Sequence, residues 1–187
     1  MAGTMLLISG PSGSGKSTIC KRLMKDPRVQ FSVSATTRKM RPGEVDGRDY
    51  VFLTKREFRD KIEHGEFIEH AEVHGNLYGT LREPMERALA EGRVYLVEID
   101  VQGANQLKAL DIPGVYVFIA PPSFEILRER LVKRATDEPA VIERRLQKAE
   151  DEYRERDKYD HVVVNDDLDR AVEEVKKLVE LDEGGES

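Results

Sequence analysis

Three things are scarce in this sequence of 187 residues: cysteine, long apolar runs and surplus basic charge. The single cysteine, Cys20, excludes an internal disulfide and suits a reducing compartment, so a cytoplasmic protein is expected. Ile19, Cys20, Leu23 and Met24 recur at helical spacing, which makes Cys20 a small buried apolar residue on this reading. The longest apolar run, Val115 to Ala120, is far short of the roughly 20 residues a membrane helix needs. No membrane partner is expected. Met1 to Gly10 has no basic residue ahead of its short apolar stretch, so no secretory leader is expected either. The net charge of −6 is opposite to the basic footprint of a duplex nucleic-acid binder. Any phosphate site must therefore come from local geometry and a few placed cations.

What is present fits one domain. A chain of this length buries roughly 70% of its unfolded surface, so its core needs no metal or disulfide staple. The apolar runs Met5–Ile8, Val94–Val97, Val115–Ala120 and Val162–Val164 read as buried strands. Between them, helical patterns cover about 16–25, 82–91, 102–110, 123–134, 140–156 and 167–180. Alternating strand and helix predicts an α/β fold built on a parallel sheet. From about 31 to 80 the rhythm breaks into short strand-like pieces: Phe31–Val33, Tyr50–Leu53 and Phe67–Val73. Turn signals at Pro42-Gly43 and Asp46-Gly47 separate them, and one helix opens at Thr54 with Glu57 three residues on, a capping-box spacing. This predicts a mixed α/β insert on the core. A charged break at Arg134–Pro139 predicts a helical lid, and the acidic end Asp182–Ser187 reads as a frayed tail.

The strongest chemical signal is Gly10-Pro-Ser-Gly-Ser-Gly-Lys-Ser17, between a predicted strand and a predicted helix. It matches G-x-x-x-x-G-K-[ST] at every fixed position. Glycines let successive N–H groups of Ser12, Gly13, Ser14, Gly15 and Thr18 turn toward an anion, and the helix adds its positive end. Lys16 supplies a cation for the β- and γ-phosphates, and the Ser17 hydroxyl suits Mg²⁺. A further acid belongs at the end of a neighbouring buried strand. Val94–Asp100 offers Glu98 and Asp100 on one face, with Asp100 the candidate for the Mg²⁺ shell. ATP and Mg²⁺ are the implied donor and cofactor.

The loop does not name an acceptor. The segments Ser34–Glu44 with Gly47–Tyr50, Phe67–Glu69, Gly75–Thr80, Glu98–Gly103 and Val164–Asp167 do. In type and order they resemble the guanylate kinase family, over about residues 4–180. The resemblance implies a P-loop NTPase-type core at about 1–33, 81–125 and 150–180, a GMP-binding insert at about 34–80, and a lid at about 126–149. Arg38 and Arg41 suit bidentate grip of the GMP phosphate, and Tyr50 can donate a hydroxyl hydrogen bond. Glu69 can accept from the guanine N1–H and N2–H₂ donors, while Ser34 donates to O6. By resemblance Tyr78 joins the phosphate, Thr80 and Glu98 join the base, Arg134 and Arg145 close over the donor phosphates, Arg130 assists, and Asn165 meets the donor adenine. Lys16, Arg38, Arg134 and Arg145 are the expected catalytic cations. The family usually has glycine where Ala135 stands, which bears on lid hinge geometry.

Taken singly, these residues have ordinary readings: surface arginines, packed tyrosines, an exposed Glu69, a capping Asn165. Their joint, ordered occurrence carries the function. Histidines 64, 70, 74 and 161 show no metal-ligand spacing and read as surface or half-buried residues. Two rivals stand beside a GMP kinase, as a monomer or small homo-oligomer. One is a same-fold kinase with another acceptor, such as AMP or a phosphorylated sugar; the other is a non-catalytic interaction module.

Overall fold

Alternate residues of a strand face opposite ways, so a sheet made of unbroken apolar runs needs cover on both faces. The computed structural model has this arrangement; it describes residues 3–73, 75–134 and 139–181, without the side chains of 73, 133, 134 and 139–141. Along the chain run β1 (Thr4–Ser9), α1 (Lys16–Leu23), β2 (Val29–Phe31), β3 (Ala35–Thr36), β4 (Val51–Phe52), α2 (Lys55–Glu63), β5 (Phe67–Val73) and β6 (Asn76–Leu81). Then follow α3 (Arg82–Ala90), β7 (Val94–Glu98), α4 (Val101–Ala109), β8 (Val115–Ala120), α5 (Phe124–Arg134), α6 (Pro139–Arg154), a 3-10 turn, β9 (His161–Val164) and α7 (Leu168–Leu178). Among the described residues no helix is long and apolar enough to cross a membrane.

The main sheet is parallel throughout, in the order β2-β7-β1-β8-β9. Leu6, Ile8, Leu96, Val117, Ile119 and Val163 turn to one side, onto Ile19, Cys20 and Leu23 of α1 and Ala171 and Val175 of α7. Met5, Leu7, Tyr95, Val97 and Phe118 turn to the other, onto Met85 of α3 and Val101, Ala104 and Leu107 of α4. Each such side chain contributes about 1.5–3 kcal/mol on burial, so the period-2 array alone makes a substantial core. Burial also pushes the Cys20 thiol well above its usual range, leaving it unreactive packing. All carboxyl ends of these strands point to one edge, where such sheets bind ligands.

A second sheet, in the order β4-β3-β6-β5, is formed within the insert. α2 braces it: Thr54 and Glu57 make the reciprocal capping box, and buried Phe58 stacks on Phe67 at 4.3 Å between ring centroids. Three details differ from expectation. The run placed at Phe31–Val33 forms a strand two residues earlier, Val29–Phe31, which pairs with β7 as the edge of the main sheet. Pairing to a distant strand decided this. The piece at Tyr50–Leu53 contributes only Val51–Phe52 to a strand. β6 was not among the expected strands; a Cβ on its Gly79 would lie 2.8 Å from the Phe67 ring and 3.0 Å from the Glu69 carbonyl oxygen. Glycine permits that close approach.

α5 and α6 pair through Leu127, Leu131, Ile142, Leu146 and Ala149. Residues 135–138, including Ala135, and the tail 182–187 lie outside the described residues.

Candidate active site

The turn after β1 takes its shape from glycines at positive φ, two of them with no room for a side chain. A Cβ on Gly10 would meet the Ile119 carbonyl oxygen at 2.3 Å, and one on Gly15 would meet Asn165 Nδ2 at 2.1 Å. α1 starts at Lys16 with no side-chain cap, so its first N–H groups face the loop. Lys16 Nζ donates to the carbonyls of Gly10 at 2.6 Å and Pro11 at 3.0 Å, folding the ammonium over the loop. Burial lowers its pKa, and the nearby carboxylates of Glu98, Glu152 and Asp100 act in the opposite direction.

The Ser17 hydroxyl donates to Glu98 Oε1 at 2.6 Å. Asp100 caps α4, accepting from the Gly103 N–H at 2.9 Å through one carboxylate oxygen. A cavity of about 390 Å³ then joins the loop to the insert. Its lining includes Lys16, Ser17, Glu98 and Asp100 on the core side and Ser34, Asp49 and Tyr50 on the insert side. Arg38, Arg41, Glu69, Tyr78 and Thr80 do not line it.

On the opposite side of the loop, a cavity of about 420 Å³ is lined by Gly13, Gly15, Thr18, Arg130, Asn165, Asp166 and Leu168. Asn165, buried at the end of β9, donates from Nδ2 to the Ser14 carbonyl at 2.8 Å and so ties the sheet to the loop. The cap of α7 is Asp167, which accepts from the Arg170 N–H. Arg130 reaches the Asn165 carbonyl at 3.3 Å, and Arg145 of α6 reaches Ser12 Oγ at 3.2 Å. The Arg134 side chain lies outside the described residues.

Within the insert, Arg38 is held from three sides. Glu44 takes it in a two-pronged pair at 2.7 and 3.0 Å, and its guanidinium lies 5.3 Å from the Tyr50 ring centroid and 5.7 Å from that of Phe52. Tyr78 meets Tyr50 edge-on at 6.1 Å. Glu44 also accepts from the Arg41 N–H at 2.6 Å, and Arg38 beside it holds its carboxyl below the usual carboxylate range. No role for Glu44 was read from the sequence. The signal was there: the Pro42-Gly43 turn brings Glu44 back to Arg41 and Arg38.

Glu69 is half-buried and accepts from Thr80 Oγ1 at 2.7 Å across the β5–β6 hairpin. Burial pushes its carboxyl upward, more than the Thr80 hydrogen bonds lower it. A carboxylate whose folded pKa is raised stabilises the fold below the ordinary carboxylate range of about 4.3, and that contribution is lost as pH rises through the raised value. Keeping Glu69 ionised at neutral pH therefore costs stability.

His64, His70 and His161 are exposed, and His74 lies outside the described residues. Among the described residues no group of three or more His, Cys, Asp or Glu could hold a metal ion by itself.

A family model described as guanylate kinase matches residues 2–182. A guanylate kinase of Geobacter metallireducens is 49% identical over 178 residues, spanning 95% of this chain and 88% of that protein. A solved guanylate kinase from Anaplasma phagocytophilum superposes with a TM-score of 0.74 at 34% identity, covering 98% of this chain and 87% of the other. A shikimate kinase of Bacteroides thetaiotaomicron, 15% identical with a TM-score of 0.52, covers 95% of this chain and 98% of its own, and shares the fold alone.

Proposed function

The chain belongs to the guanylate kinase family, and on that premise we propose how its residues divide the transfer of the γ-phosphoryl group of ATP to GMP. The observation that carries the division is the shared cavity, where loop residues Lys16 and Ser17 face insert residues Ser34 and Tyr50. The loop from Gly10 to Thr18 holds the donor phosphates, and the adenine lies between Arg130 and Asn165. Arg38, Arg41, Tyr50 and Tyr78 hold the GMP phosphate; Ser34, Glu69, Thr80 and Glu98 read guanine. Arg134 and Arg145 complete the donor clamp from the lid.

A GMP phosphate oxygen attacks the γ-phosphorus in line, and the bond to the β–γ bridging oxygen breaks, so ADP leaves with that electron pair. The acceptor phosphate is already anionic, so no general base is required. Acceleration comes from alignment and from cations placed where charge develops. Ser17 and Asp100 supply the hard oxygen donors that suit Mg²⁺. When bound, Mg²⁺ would draw charge from the β- and γ-phosphates. Closure of insert and lid on the core would exclude water that could otherwise take the phosphoryl group. A reducing cytoplasm suits the lone buried thiol of Cys20.

An ADP-release assay with a panel of nucleoside monophosphates and sugar phosphates tests this reading. ADP should form with GMP, only when Mg²⁺ is present. Turnover with another acceptor, or none at all, would favour one of the rival readings.

Two further outcomes follow from the insert. Glu44→Ala should raise the KM for GMP roughly 10-fold by releasing Arg38, while the KM for ATP stays within about twofold. In a double variant with Arg38→Ala, the two losses should fail to add, because both act through one guanidinium. The second concerns pH. Protonation removes an acceptor from Glu69, so kcat/KM for GMP should decline on acidification from a pH above the ordinary carboxylate range. In Glu69→Gln that acid limb should shrink to the part set by the substrates' own phosphates, and thermal stability near neutrality should rise.

A further inference from the structure

α6 presents Arg145, Ala149 and Glu152 on one face at spacings of four and three. Arg145 reaches Ser12 of the phosphate loop, and Ala149 packs with Leu127 and Leu131 beneath it. Glu152, two turns beyond Arg145, has a side chain only 13% exposed. Its ion-pair partner is Lys148 at 3.6 Å, whose own side chain is 62% exposed and thus largely in water. A buried carboxylate with so weak a partner is poorly compensated.

Beyond Lys148, two charged groups of the donor end of the site act on Glu152. Lys16 attracts it from the loop, and Asp100 repels it from the start of α4. Glu152, in turn, acts on the buried Tyr159 hydroxyl, together with Asp100 and Glu155. Lys16 spends two of its three N–H donors on the Gly10 and Pro11 carbonyls, and Glu152 is among the carboxylates that stabilise its charge.

We propose that Glu152 is a positioning residue for phosphoryl transfer: it supplies a counter-charge to Lys16 from the helix that also carries Arg145. Seating α6 on the loop then delivers the Arg145 cation and orients the Lys16 ammonium in a single movement. This rests on the reading of Lys16 as the donor-phosphate cation. It also accounts for a buried acid that packing alone does not require.

Glu152→Gln keeps the shape and removes the charge; Glu152→Asp keeps the charge and shortens the reach. In steady-state assays with ATP and GMP, Glu152→Gln should lower kcat about 10-fold, with both KM values within about threefold. Its Tm should be unchanged or higher, and Glu152→Asp should recover part of the lost kcat. In the Lys16→Met background, Glu152→Gln should cost nothing further. A Glu152→Gln kcat within twofold of wild type would overturn the proposal. So would a fall in kcat that tracks a fall in Tm and is not relieved in Glu152→Asp. If Lys16→Met itself kept full activity, the reading beneath would fail; if only Glu152→Gln did, that reading would stand without this one.

Discussion

Lys16→Met should retain the fold and the capacity to bind GMP while losing on the order of 10²–10³ in kcat, the usual effect of deleting a charge-stabilising donor. Methionine matches the lysine stem in length and is apolar, so packing at the start of α1 is preserved and the ammonium alone is lost. That ammonium now lies over the Gly10 and Pro11 carbonyls at 2.6 and 3.0 Å, partly desolvated and flanked by carboxylates. In so constrained a setting its charge is worth more than in water. The loss converts to about 3–4 kcal/mol of transition-state stabilisation. Single-turnover kinetics on the variant, with Tm as a control on folding, provide the check. Turnover close to wild type would remove Lys16 from the transfer step.

Glu69→Ala should separate the two substrates. Guanine offers two N–H donors to two carboxylate oxygens, and hydrogen bonds to a charged group contribute about 1.5–3 kcal/mol each. Losing both lowers kcat/KM for GMP by roughly 10²–10⁴, while ATP affinity through the phosphate loop is unchanged. Thr80, which now donates to Glu69 at 2.7 Å, would remain but could not replace the acceptor. Initial rates over a range of GMP, with a parallel ATP titration, distinguish the outcomes. A matching loss of ATP affinity would mean that Glu69 supports the fold of the site instead of reading the base.

The parts legible in the sequence are those whose residues are neighbours along the chain. The phosphate loop is eight consecutive residues between a buried strand and a helix, and both flanks formed where their apolar spacing put them. The capping box at Thr54 and Glu57 is equally local. What the sequence hid depends on contacts between distant segments. β2 joins the main sheet only because β7, more than sixty residues on, offers it an edge. Ser17 meets Glu98 across a separation of 81 residues, so the link between the metal-ligand candidate and the base-reading candidate could not be read from either segment. Asp100 read as a strand-end acid, yet one of its oxygens is engaged in starting α4. Asn165, a cap when taken singly and a donor-adenine residue by resemblance, also ties β9 to the loop. In the insert, the two-residue strand β3 carries too little pattern to register; it pairs with β4 on one side and on the other with β6, whose Gly79 lets Phe67 approach.

Acceptor choice is the claim on which the rest depends, and direct competition measures it. With γ-labelled ATP and equal concentrations of GMP and AMP in one tube, the ratio of label in GDP to label in newly formed ADP equals the ratio of the two kcat/KM values. A site that pairs guanine donors with the half-buried Glu69 carboxylate should favour GMP by on the order of 10⁴ once closed. Comparable label in the two products, or label appearing mainly as inorganic phosphate, would contradict it.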